Sequence, residues 1–122
     1  MSSVPLSILD RANTRMVDNQ PVDAAAILRE VTERAQAAEA LGYRRFWVAE
    51  HHSVPGIVGS TPTLLLAHLA SATTSIRLGT GGIMVPSHQP LVIAEQIATL
   101  QVLYGSRIEA GLGASAGFTK PV

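Results

Sequence analysis

The side chains best equipped for chemistry are Glu50-His51-His52, three neighbours able to accept, donate and relay protons near neutral pH. They follow Arg45-Phe46-Trp47-Val48, an apolar and aromatic run that predicts a strand. Adjacent residues at a strand end point in opposite directions, so at most one imidazole faces a pocket squarely while the other supports or packs. That histidine could act as a general base or hold a ligand oxygen; the plainer alternative is a structural hydrogen bond to Glu50. A metal site is not expected, because the pair lacks the i, i+4 spacing of helical ligands and no third ligand is evident. Gly79-Thr80-Gly81-Gly82 closes another strand, where glycine either lets backbone approach a flat ligand or merely forms a tight bend. His88, in a loop bounded by Pro86 and Pro90, is open to either role. Trp47 could stack a ring or fill the core, His68 reads as structural, and Glu95 either caps backbone or faces water.

The elements that must position these groups alternate between periods of two and 3.6 residues. Pro5 to Leu9 predicts a strand, followed by a long polar loop from Asp10 through Gln20. Asp23 is a good N-cap for a helix reaching Leu41, with Ile27, Val31, Ala35, Ala38 and Leu41 on one stripe and Gly42 as the stop. After the second strand and a Pro/Gly-rich loop, Ser53 to Ser60, Thr61-Pro62 opens a helix with Leu65, Leu69 and Ala72 on one face. Ile76 to Thr80 is the third strand, Leu91 to Leu103 the third helix with Ile93, Ile97, Leu100 and Tyr104 inward, and Arg107 to Ala110 the fourth strand. Strand starts near 5, 45, 76 and 107 give units of about 40, 31 and 31 residues, and an eight-fold barrel allots ~31 to each. Doubly wound sheets have similar units. They should carry G-x-G-x-x-G after the first strand, and none stands there. Gly111, Gly113 and Gly117, after the fourth strand, fit G-x-G only loosely.

Composition narrows the function classes. The 122 residues are 47% hydrophobic and only 15% charged, so much of the surface is expected to be covered. Nine basic and nine acidic side chains leave no footprint for nucleic acid or a membrane surface. The absence of cysteine removes disulfides, thiolate metal sites and Cys nucleophiles. No apolar run nears the ~20 residues of a membrane helix, and the amino terminus lacks the basic region of a signal peptide, so a cytoplasmic chain is expected.

Four segments then carry a resemblance: Trp47 to His52, Gly79 to Pro86, Pro90 to Gln96, and Gly105 to Gly113. In order and spacing they resemble the bacterial luciferase-like, flavin-dependent monooxygenases, over nearly the whole chain. The resemblance implies an α/β fold, the first four strands of a (β/α)₈ (TIM) barrel occupying residues 1–122, with strands five to eight absent. It implies that reduced FMN, or in sister enzymes a deazaflavin, sits at the strand carboxyl ends and reacts with O₂ to oxidise a small organic substrate. His51 matches the catalytic or flavin-adjacent histidine. Gly81-Gly82 matches a non-proline cis peptide beneath the flavin ring, and Asp10, Glu50 and His88 join that pair on the cofactor side. Ala114 stands where many members carry an arginine for the flavin phosphate. A flavin reductase is the implied partner. A half-barrel leaves open sheet edges, so self-association is expected, and an inactive fragment that binds flavin weakly is the alternative to an active enzyme.

Overall fold

A computed structural model describes residues 3–115. In chain order the strands and helices are β1 (Ser7–Asp10), β2 (Met16–Val17), β3 (Gln20–Pro21), α1 (Ala24–Ala40), β4 (Arg45–Val48), α2 (Pro62–Ala72), β5 (Arg77–Thr80), β6 (Ile83–Met84), α3 (Pro90–Tyr104), β7 (Ile108–Glu109) and β8 (Leu112–Gly113). Single 3₁₀ turns at Val85–Ser87 and Gly105–Arg107 flank α3. Four parallel strands form one sheet in the order β1-β4-β5-β7, each joined to the next by a helix. This is the consecutive order that the opening of a β/α barrel requires.

Register sorts the sheet's two faces. Ile8, Phe46, Leu78 and Ile108 align across the strands. They pack into one core with Ile27, Val31, Ala35 and Ala38 of α1, Leu66, Leu69 and Ala70 of α2, and Leu100 of α3. On the opposite face Leu9, Trp47, Gly79 and Glu109 align, and Leu9 is 54% exposed. The helices therefore cover one side, and no described helix covers the side that would line a closed barrel.

The caps follow from sequence. The Asp23 carboxylate accepts from the Ala25 amide at 3.1 Å, and Gly42 takes φ +82° just past the helix end. Pro62 and Pro90 each begin a helix, where their missing N–H costs nothing.

The structure corrects some expectations and decides between others. The polar loop contains a hairpin, β2-β3, whose turn residues Asp18 and Asn19 take φ +49° and +64°, the left-handed pair that matches strand twist. In α2 Leu66 joins the expected Leu69 as a fully buried residue, while Leu65 is only packed at the margin. Leu41 is 76% exposed, because it is the C-cap and lies past the stripe that meets the sheet. Trp47 belongs to the open face, not to the core beneath the helices. Glu95 is exposed and faces water. Gly117 and the segment through Val122 lie outside the described residues. No described helix is long and apolar enough to cross a membrane.

Candidate functional site

The carboxyl ends of β4 and β5 are stitched together by backbone. Gly81 donates to the Val48 carbonyl at 2.7 Å, and Ile83 donates to Gly111 at 2.8 Å. Buried Thr80 donates its hydroxyl to the Gly111 carbonyl and accepts from the Gly111 amide. The short parallel pair β6-β8 continues this contact beyond the main sheet. Side chains are excluded here for a steric reason. A Cβ on Gly111 would lie 2.0 Å from the Thr80 carbonyl oxygen, and one on Gly82 would meet the backbone of residues 111–113 at 3.1–3.2 Å. The Gly81–Gly82 peptide bond is cis.

Below this rim, Trp47 lies across Gly79 and Gly81. A Cβ on Gly79 would come within 2.6 Å of its indole nitrogen, and one on Gly81 would press on the ring and on Leu9 at 3.1 Å. The cross-strand pairing Trp47↔Gly79 thus lets an aromatic ring cover a glycine. The indole N–H reaches Glu109 at 3.3 Å, and Arg45 (2.8 Å) and Arg77 also donate to that carboxylate. Burial opposes the charge on Glu109, but the two guanidinium groups prevail and hold its carboxyl below the ordinary value.

The three-residue cluster after β4 divides sharply. Glu50 is buried, 1% exposed, and accepts from His52 Nε2 at 2.6 Å, His88 Nε2 at 2.9 Å and the Met84 amide at 3.2 Å. Burial pushes its carboxyl up, and these donors more than reverse the effect, leaving it below the usual range. With Ser60, Thr63 and Gln96, Glu50, His52 and His88 line a cavity of about 150 Å³. His51 makes no such bond. Its backbone N–H donates to Gly59 at 2.9 Å, while its ring Nδ1 is buried with no hydrogen-bond partner among the described residues. Gly59 must be glycine for the loop to pass, since a Cβ would stand 2.9 Å from the Arg11 carbonyl.

The structure brings His51, His52, His88, Glu50, Gly81 and Gly82 to one rim. Asp10 is engaged elsewhere: it shares the helix-facing register of Val48 and Thr80, and its carboxylate takes Arg34 Nε of α1 at 2.6 Å and the Ala12 amide at 2.8 Å. His68 meets Thr32 on the outer surface of the helices, at 3.1 Å. Gly59 escaped the sequence reading, and so did the mutual hydrogen bonding of Thr80 and Gly111. Only the cross-strand glycine opposite Trp47 left a signal that could have been followed.

A parallel sheet covered by helices on one side, with its polar and glycine-built groups gathered beyond the strand carboxyl ends, defines part of a β/α barrel with its site on the usual rim. Comparison with known proteins makes this specific: the luciferase-like monooxygenase family model matches residues 9–120. A luciferase-like monooxygenase of Escherichia coli (strain K12) is 43% identical over 106 residues, 84% of this chain and 32% of that protein. The chain belongs to the luciferase-like monooxygenase family, and spans about a third of the length of such relatives. Two solved structures share the fold. The oxygenating constituent of 3,6-diketocamphane monooxygenase from Pseudomonas putida, in complex with FMN, has a TM-score of 0.84 at 22% identity, covering 94% of this chain and 31% of its own. The coenzyme F420-dependent tetrahydromethanopterin reductase of Methanopyrus kandleri has a TM-score of 0.71 at 22% identity, covering 93% and 28%.

Proposed function

We propose that this chain supplies the first four strand–helix units of a flavin-dependent monooxygenase, in which reduced FMN and O₂ oxidise a small organic substrate. One observation carries the reading: a His51 Nδ1 that is buried and without a partner among the described residues shares a rim with the side-chain-free backbone of Gly81–Gly82. A flat heteroaromatic ring with polar edges fits both features, resting on the glycine backbone with a hydrogen-bonding atom at Nδ1. The bound flavin would supply the oxygen chemistry; the chain positions it and limits water. Gly81 and Gly82 set the height at which a ring can lie. His51 holds or moves a proton at the ring edge or at a substrate oxygen through Nδ1. FMN is the expected cofactor and a deazaflavin the second candidate, since the fold is shared with an F420-dependent reductase. A reductase delivering reduced flavin in the cytoplasm is the partner this chemistry requires.

The 122 residues alone are expected to hold FMN only weakly, because Ala114 offers no guanidinium to the phosphate. Chemical-shift mapping of the isotope-labelled chain tests the site. Millimolar FMN should perturb the amides of Gly81 and Gly82 and the His51 ring. Perturbation confined to other residues overturns the reading, and micromolar affinity with substrate-dependent NAD(P)H oxidation beside a reductase overturns the expected weakness. The open edges at β1 and β7, with Val4 at 81% and Leu6 at 60% exposure beside β1, should drive self-association. Sedimentation at rising concentration should therefore give a growing mass; a constant monomer would contradict this.

A further inference from the structure

We propose that Glu50 is a positioning residue that fixes His52 and His88 with their protons on Nε2 and pins the backbone after Gly81–Gly82 to the end of β4. The inference deepens the flavin reading and rests on it only for its consequence, because every group of the clamp belongs to the chain itself. It also reassigns Glu50 and His88, expected from sequence to touch the cofactor.

The argument is one of hydrogen-bond accounting. An ionised carboxylate accepts and never donates. Glu50 is 1% exposed, and His52 Nε2 at 2.6 Å, His88 Nε2 at 2.9 Å from both oxygens and the Met84 amide at 3.2 Å occupy it from three sides. Each imidazole must then bring an N–H at Nε2, which leaves Nδ1 as the nitrogen open to other partners. A carboxylate partner commonly sets which ring nitrogen carries the proton in this way. The three donors come from separate places: His52 from the loop after β4, Met84 from β6, and His88 from the loop before α3. Glu50 therefore joins the segment carrying His51 to the segment that follows the glycine pair. Removing its charge would leave these half-buried donors facing an uncharged group and loosen that joint.

Long-range ¹H–¹⁵N spectra of the isotope-labelled chain at pH 8, without flavin, test the proposal directly. A protonated Nε2 on both His52 and His88 supports the clamp; an unprotonated Nε2 on either ring overturns it. Glu50→Gln should speed amide exchange at Met84 about tenfold, the order set by loss of one charge-assisted bond, with Glu50→Asp recovering part of the protection. Unchanged Met84 exchange in folded Glu50→Gln would also overturn it. Because these measurements use no FMN, failure of the clamp and failure of flavin binding are separate results: silence at Gly81–Gly82 with both Nε2 atoms protonated would sink only the flavin reading.

Discussion

Glu39 and Glu50 stand near opposite ends of the sheet, and each gathers several N–H donors, but the donors differ in kind. Glu39 lies near the end of α1 and accepts from the consecutive backbone amides of Thr74, Ser75 and Ile76 at 2.8–3.2 Å. Beside it Arg107 closes the end of α2, donating to the Ala70 carbonyl at 2.7 Å and to Thr73 and Ile76, with its guanidinium 5.6 Å from the Tyr104 ring centroid. Those partners are backbone groups, joined by the hydroxyls of Thr73, Thr74 and Ser75, and none of them titrates near neutral pH. Glu50 at the other end is held mainly by imidazoles, whose protons can move, and its neighbour His51 keeps an unused nitrogen. The amino-terminal end is closed by groups that do not titrate near neutral pH, while the carboxyl-terminal end keeps imidazoles and a nitrogen without a partner among the described residues, and in β/α barrels it is this end that carries the site.

The sharpest way to break that contrast is at Arg107. Arg107→Ala strands the carbonyls of Ala70, Thr73 and Ile76, and should cost about 3 kcal/mol of unfolding free energy in urea. The histidine tautomers at the rim should stay as in the parent chain. A loss below about 1 kcal/mol would mean that solvent satisfies these carbonyls and that this end is not closed.

Glu39 should give a smaller, pH-dependent effect. Partial burial raises its pKa, but the amides of Ile76, Ser75 and Thr74 bring it down from 4.5 to about 2. A pKa lower in the folded than in the unfolded chain stabilises in full above about 4.5 and fades as pH falls toward about 2. Allowing for the water that reaches this partly exposed group, Glu39→Gln should cost ~2 kcal/mol at pH 7. The variant should also lose stability less steeply than the parent chain between pH 5 and pH 2. Parallel pH curves for the two chains would show that Glu39 carries no such linkage.

The same contrast explains how much could be read from sequence. Asp23, Gly42 and Thr61-Pro62 mark helix ends through local backbone chemistry, so α1 and the start of α2 were legible. The run Leu64-Leu65-Leu66 left the phase of α2 open, because an unbroken apolar triplet fits more than one helical face. The β2-β3 hairpin escaped because two residues per strand set no alternation, leaving only Asp18-Asn19 as a turn signal. At the rim, the strand-end positions of His51 and Gly81–Gly82 were visible. The hydrogen-bond partners of Asp10 and Glu50 were not, since Arg34 and His88 lie 24 and 38 residues away and are brought in by tertiary packing.

The mildest substitution bears most directly on function. His51→Ala removes a ring whose Nδ1 has no partner, so no hydrogen bond of that atom is lost. The residue as a whole is half-buried rather than buried, which limits the packing lost as well. Unfolding free energy should therefore change by less than about 1 kcal/mol, far below the loss at Arg107. The flavin readout should change much more: FMN-induced shifts at Gly81 and Gly82 should weaken severalfold, because the ring edge loses its hydrogen-bonding partner while the glycine surface remains. His51→Asn, which can place an amide nitrogen or oxygen near the same position, should recover part of the response. If His51→Ala instead destabilises the chain as much as Arg107→Ala does and leaves FMN shifts unaltered, then His51 belongs with Glu39 and Arg107 as a structural group, and the two ends of the sheet do not differ in the way described.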